Sequence, residues 1–173
     1  MSFRLAAYAV CIERERVLLA HYVRPTTGVM HWTLPGGMVE HAEDPFDAVI
    51  RELAEETGCD GVVERLLGVD SRVIPAAEAQ RGIEHQNVGI FYQVRVTGGA
   101  LRPEPDGETA ESVWTPIDDV AGLRRSFLVD VGLALAQTLP LNWPHRPGHR
   151  WRPDPALRPS DRVDKIRETT GLP

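Results

Sequence analysis

Cysteine, lysine and aromatic residues are all scarce in these 173 residues, with two Cys, a single Lys and 6% Phe, Trp and Tyr. Cys11 and Cys59 lie far apart between apolar neighbours, so they read as buried free thiols rather than as a disulfide framework or a metal pair. No apolar run approaches the roughly 18 residues of a membrane span. The opening MSFRLAAYAVCIERE meets charge too early to read as a secretory signal. A cytoplasmic protein with no membrane partner is the expectation. Basic excess is missing as well, since the net charge is −6. It divides unevenly: 12 Arg against 21 Asp plus Glu up to Leu139 (12 − 21 = −9), then 7 basic against 4 acidic residues from Pro140 onward (7 − 4 = +3). An acidic body argues against a nucleic-acid groove, so no specific nucleic-acid partner is expected. It suits a site whose carboxylates bind cations that in turn bind phosphate.

The length allows one domain with a sizeable core. Composition shifts at Pro140, after which 34 residues hold seven of the fourteen prolines. Residues 1–139 are therefore expected to form the domain. Residues 140–173 are expected to form a Pro/Arg-rich tail, extended or partly ordered, resting on the body through Trp143 or Trp151, with a short helix at 161–169.

Residues 4–11 (RLAAYAVC) and 16–21 (RVLLAH) read as strands joined by the polar turn IERE. Residues 22–31 read as a loop, and 32–34 as a short extended entry into Pro35-Gly36-Gly37, where the chain bends. Further strands are expected at 62–69, 85–96 and 112–115, with a loop or hairpin edge at 73–82 and an acidic loop at 98–110. A short helix is expected from Pro116 to Leu123, and a final helix at 124–138.

The strongest helix signal begins at Asp44. Asp44 can cap the free N–H groups, Pro45 suits the first turn, and Phe46, Val49, Ile50 and Leu53 form an apolar stripe that stops at Gly58. Within that helix Glu52 and Glu56 stand about 40° apart and Glu52 and Glu55 about 60° apart the other way, so three carboxylates share a face. Such a face repels itself unless arginines, solvent or hard divalent cations neutralise it. Taken alone it is most simply a solvated surface. The double glycine before it, which lets backbone carbonyls approach a ligand, and Glu43 at the bend change that reading.

The string GMVEHAEDPFDAVIRELAEETGC, Gly37 to Cys59, resembles the signature of the Nudix hydrolases, with Gly37, Glu43, Arg51, Glu52, Glu55, Glu56 and Gly58 at its fixed positions. Glu43 follows His41 and Ala42, where this family usually has a glycine before the glutamate. The resemblance implies an α/β/α sandwich with a central mixed β-sheet. It also implies a metal-dependent pyrophosphohydrolase that cleaves the diphosphate linkage of a nucleoside diphosphate derivative or a nucleoside triphosphate. It assigns Glu52, Glu55 and Glu56 to the catalytic Mg²⁺ site (Mn²⁺ as substitute), assisted by the carbonyl of Gly36. Glu43 then pairs with Arg51 to hold loop to helix. Glu52 or Glu55 is the candidate to take the proton of the attacking water. A further metal carboxylate is expected outside the signature, Glu108 first, with Glu111 and Glu84 as alternatives.

For a nucleotide-like substrate, Trp32, Phe91, Tyr22 and His85 are candidate contacts to a base, and Arg24, Arg72 and Arg81 candidate contacts to phosphate, with Phe91 equally readable as core. His31 reads as solvated loop. A catalytically silent nucleotide-binding module with the same fold is the alternative function, and it would be favoured by loss of a signature carboxylate. A prenyl-diphosphate isomerase needs a cysteine opposite a glutamate, and Cys59 reads as core instead. If the chain self-associates, a homodimer is the expected form.

Overall fold

The computed structural model describes residues 2–24, 28–77, 79, 82–105 and 107–138, all within the compact unit Met1–Pro140. The expectations for residues 140–173 and for Arg81 lie outside the described residues.

Two four-stranded sheets carry the fold. In one, β5 (Gly36–Met38), β1 (Ser2–Val10), β7 (His85–Gly99) and β6 (Cys59–Ile74) lie side by side. β1 runs parallel to β7 and antiparallel to β5, so this sheet is mixed. In the other, β2 (Ile12–Glu13), β3 (Arg16–Val23) and β4 (Met30–Thr33) follow in order, and β8 (Thr109–Pro116) pairs with β3. Helix α1 (Pro45–Thr57) packs with β1, β5, β6 and β8, and α2 (Phe127–Thr138) with β6, β4 and β1. The architecture is an α/β/α sandwich.

The unbroken apolar run in β1 follows from burial on both sides. Ala6, Tyr8 and Val10 join the cluster under α2, whereas Ala7, Ala9 and Cys11 join the one under α1. β3 alternates in the same way, Val17 and Leu19 facing one cluster and Leu18 the other. Both cysteines are free and buried, Cys11 and Cys59 lying in the α1 cluster. Burial pushes the Cys11 thiol up to about 12, which keeps it protonated and unreactive at neutral pH.

Several boundaries differ from the sequence reading. β6 spans 16 residues rather than 62–69, because its polar flanks complete a long antiparallel ladder with β7 from Cys59 opposite Gly99 to Ile74 opposite His85. Register shifts at three points along β6 blur the period-two pattern. β3 extends to Val23 and β4 begins at Met30, shortening the expected loop between them. The last two residues of IERE, Arg14 and Glu15, both take left-handed angles (φ 48° and 60°) and turn β2 into β3. The short helix is a 3-10 turn, Ile117–Gly122.

α1 begins and ends on the expected signals. The Asp44 carboxylate accepts from the Phe46 N–H, Pro45 opens the helix, and Gly58 closes it at φ 76°, where its N–H donates to the Ala54 carbonyl. In the loop that delivers Glu43 to this helix, Ala42 sits at φ 64°. A side chain bearing a Cβ is disfavoured there by roughly 1–2 kcal/mol. Replacing Ala42 by Gly relieves that strain and loses part of the gain to the freer unfolded chain. The expected net stabilisation is about 0.5–1 kcal/mol by urea denaturation; a lower unfolding midpoint would show that the loop tolerates alanine without strain.

Candidate active site

The loop after β4 carries the chain across the end of β1, and sterics there require glycine. At Gly36, with φ 142°, a Cβ would stand 2.2 Å from the Ala7 carbonyl oxygen. At Gly37 a Cβ would stand 2.6 Å from the carboxyl carbon of Glu52. The missing side chain is what lets that carboxylate lie against the backbone.

Arg51 ties this loop to α1. Its Nε and Nη2 donate to the two oxygens of Glu43 at 2.8 and 2.9 Å, forming a bidentate pair. Nη1 donates to Glu52 at 2.9 Å and Glu55 at 3.0 Å, and Nη2 also donates to the Met38 carbonyl at 3.1 Å. Glu43 accepts in addition from the Glu40 N–H at 2.9 Å. Glu56 reaches across to the loop and accepts from the Gly36 N–H at 2.8 Å. The Gly36–Glu56 bond and the Glu43–Arg51 pair therefore fasten the glycine turn to the helix at two places.

A cavity of about 410 Å³ opens at this junction. Glu52, Glu56, Gly36 and Gly37 line it, with Glu104 and Glu108 from the segment before β8. Arg4 and Tyr8 enter from β1, Tyr22, Arg24, His31 and Thr33 from the β3–β4 hairpin, and Ser126 and Leu128 from the start of α2. Glu104 accepts from the Thr109 N–H at 3.0 Å, and Glu108 engages the Tyr22 phenol.

The expected site residues divide between this cavity and elsewhere. Glu52, Glu56, Gly36, Glu108 and Arg24 line it. Glu55 does not: its side chain is 52% exposed and turned to Arg51. Phe91 must be corrected from a substrate contact to core, since it is fully buried under α2 against Tyr8, ring centroids 5.3 Å apart. His85 is also displaced from the substrate list, because it begins β7 outside the lining and bonds the Ser2 hydroxyl at 2.8 Å. Trp32 stacks on His21 at 4.3 Å and packs against the α2 cluster, again outside the lining. Glu111 bonds His21 at 3.2 Å, Arg72 lies over the Phe127 ring, and Glu84 is exposed. Arg4, Tyr8 and Glu104 were not singled out from the sequence. For Arg4 and Tyr8 one signal existed: two polar-ended side chains at even positions of a strand otherwise made of apolar residues.

A model of the NUDIX domain matches residues 2–131. The chain belongs to the Nudix family. It is 33% identical over 115 residues to the CMP-5'-(N-acetyl-N-hydroxy-3-aminopropyl)phosphonate hydrolase of Streptomyces rubellomurinus, covering 66% of this chain and 52% of that protein. It is 31% identical over 115 residues to the ADP-sugar pyrophosphatase of Mus musculus, covering 63% and 49%. The chain thus spans about half the length of these relatives. Among solved structures, a Nudix hydrolase from Nitrosomonas europaea superposes with a TM-score of 0.67 at 20% identity, covering 78% of this chain and 88% of that one.

In this Nudix domain the two carboxylates in the cavity share one electrostatic problem. Burial raises Glu52 above the usual carboxylate range, against the pull of Arg51. Burial raises Glu56 to about 8; the Gly36 N–H opposes this, and Glu52 and Glu104 add to it. Glu43 is the reverse case, held at about 2 by the Arg51 fork and the Glu40 N–H. Among the described residues no three His, Cys, Asp or Glu side chains form a ready-made cation cage. Arg51 takes the place of a counter-ion for Glu52 and Glu55, and Gly36 occupies one Glu56 oxygen. The donor chemistry nevertheless fits a hard divalent cation: carboxylate oxygens of Glu52, Glu56, Glu104 and Glu108 line one cavity, and burial raises two of them, Glu52 and Glu56, above the usual carboxylate range.

The sign of the Glu56 shift has a consequence for stability. Its acid lies at about 8 in the folded chain and near 4.5 in a free side chain, so between those values the folded state holds the proton more tightly. Its contribution to metal-free stability therefore declines as pH rises from about 4.5 to 8 and is level above. Denaturant midpoints in EDTA at pH 5.5, 7 and 8.5 are expected to fall more steeply for the native chain than for Glu56→Gln. Parallel profiles would mean that Glu56 is not held protonated.

Proposed function

We propose that this chain is a cytoplasmic, Mg²⁺-dependent pyrophosphohydrolase of a nucleoside diphosphate derivative, with Mn²⁺ as a substitute cation. The observation that carries the reading is one cavity lined by Glu52 and Glu56, beside the Gly36-Gly37 turn, and also by Arg4, Tyr8 and Tyr22. Carboxylates together with an arginine and aromatic surface suit a phosphate chain linked to a nucleoside. The names of the mouse and Streptomyces relatives, which refer to an ADP-sugar and a CMP-phosphonate, support that substrate class. No helix among the described residues is long and apolar enough to cross a membrane.

In the proposed reaction the oxygen of a water bonds to one phosphorus, the bridging P–O bond breaks, and the departing phosphate keeps the bond's electron pair. The water's proton passes to a carboxylate of the cavity. Glu52 is the better candidate than Glu55, because Glu52 faces the cavity and Glu55 faces Arg51. A bound divalent cation supplies charge stabilisation for the transition state and makes the water more acidic. Arg4, whose charge bears on both Glu52 and Glu56, stands where it can hold a phosphate oxygen. Glu56 and Gly36 keep the turn in place.

A catalytically silent binding module is the second reading, and the outward position of Glu55 is the observation in its favour. Cleavage products, identified by phosphorus NMR or mass spectrometry, separate the two. A panel of nucleoside triphosphates, ADP-ribose, nucleotide sugars, dinucleoside polyphosphates and coenzyme A, assayed with Mg²⁺, Mn²⁺ or EDTA, is expected to give metal-dependent cleavage of one class. Glu52→Gln or Glu56→Gln should lower that turnover by about 100-fold or more with the fold retained by circular dichroism. Metal-independent cleavage, or full activity in both variants, would sink the assignment; saturable nucleotide binding without cleavage would favour the silent module.

A further inference from the structure

The cavity is lined by a second arginine besides Arg4, namely Arg24. Arg24 directly follows β3 in a fixed backbone: its N–H donates to the Val29 carbonyl at 3.0 Å, and its carbonyl accepts from the Gly28 N–H at 2.8 Å. The side chain lines the cavity, yet its Nε is buried and meets no acceptor. Among the described residues Arg24 forms no ion pair. A buried N–H without an acceptor is costly, and a ligand that brings an acceptor recovers that cost on binding.

Its neighbours say which part of a ligand that would be. Arg4 and Arg51 are the cations that bear on Glu52, where hydrolysis is proposed. Arg24 is not among them; it bears on His31 and, more strongly than Arg4 does, on Tyr22, whose ring lies 5.2 Å from that of His31 in the same cavity. Glu108, which also lines the cavity, is already engaged by the Tyr22 phenol. His31 is kept toward its neutral form by burial, then by Arg24 and Arg124, so it adds no competing charge. What this region lacks is an anion.

We infer that Arg24 is a specificity-determining residue whose guanidinium donates to an anionic oxygen on the part of the substrate beyond the cleaved diphosphate, so that preferred substrates carry a carboxylate, phosphate or phosphonate there. The inference rests on the hydrolase reading for its meaning but has a binding test of its own. In EDTA, the Arg24 Nε–H cross-peak in a nitrogen–proton NMR spectrum, assigned by its loss in Arg24→Lys, should move saturably with inorganic phosphate. A cross-peak that stays in place through the titration overturns the inference, whatever the enzyme assays give.

The enzymatic arm compares UDP-glucose with UDP-glucuronate, which differ by one carboxylate. The native chain is expected to favour the uronate by about tenfold in kcat/KM, mainly through KM, as one charge-assisted hydrogen bond implies. Arg24→Gln should erase the preference and Arg24→Lys restore part of it. Equal preference in the native chain and Arg24→Gln overturns the assignment. Hydrolysis of neither sugar counts against the hydrolase reading on these substrates and leaves the phosphate titration to decide for Arg24.

Discussion

All five N–H groups of the Arg51 guanidinium are in use, and the arrangement of the candidate site depends on that. Two grip Glu43, one each goes to Glu52 and Glu55, and the fifth goes to the Met38 carbonyl. A lysine ammonium has three donors on a flexible stem and cannot span these acceptors at once. The fork joins three pieces of chain that are separate in sequence: the end of β5, the loop before α1, and the helix face. Because the pair is partly exposed, its worth lies less in global stability than in fixing where the glycine turn stands relative to the helix.

Around that fixed point, absence of side chains matters as much as their presence. Gly37 leaves room for the Glu52 carboxylate and Gly36 offers its N–H to Glu56. The outcome is a pair of carboxylates whose preferred state is set by what else is bound. Without a cation both are pushed toward their neutral forms by burial. A divalent ion reverses that tendency, since ligation requires the deprotonated oxygen, so cation binding and proton release are coupled in the proposed mechanism. Arg4 on β1 and Arg24 just after β3 also line the cavity and offer two grips on an anionic substrate.

How much of this could be read from the sequence follows the distance over which each feature is specified. The α1 helix was legible to the residue, because Asp44, Pro45 and Gly58 act within a turn of the positions they control. The Glu43–Arg51 contact was legible for the same reason, being local to one loop and one helix and part of the family's signature. Phe91 is ambiguous in the sequence between ligand contact and core, because an aromatic in a strand with blurred alternation does not reveal that α2 covers it. Arg4 and Tyr8 went unnoticed because only the pairing of β1 with β5, Tyr8 opposite Gly36, brings them to the cavity. Glu55 shares a helix face with Glu52 in any helical projection, but it also stands four residues after Arg51, and that ion pair holds it outward.

The central claim is that Glu52 and Glu56 receive a divalent cation beside the Gly36-Gly37 turn. Anomalous diffraction from crystals grown with Mn²⁺ tests it most directly, by locating the ion without reference to activity. A peak is expected within coordination distance of a Glu52 or Glu56 oxygen, with the Arg51 fork on Glu43 intact. Manganese found only elsewhere, or a cavity that stays free of it while Arg51 still holds Glu52, would contradict it.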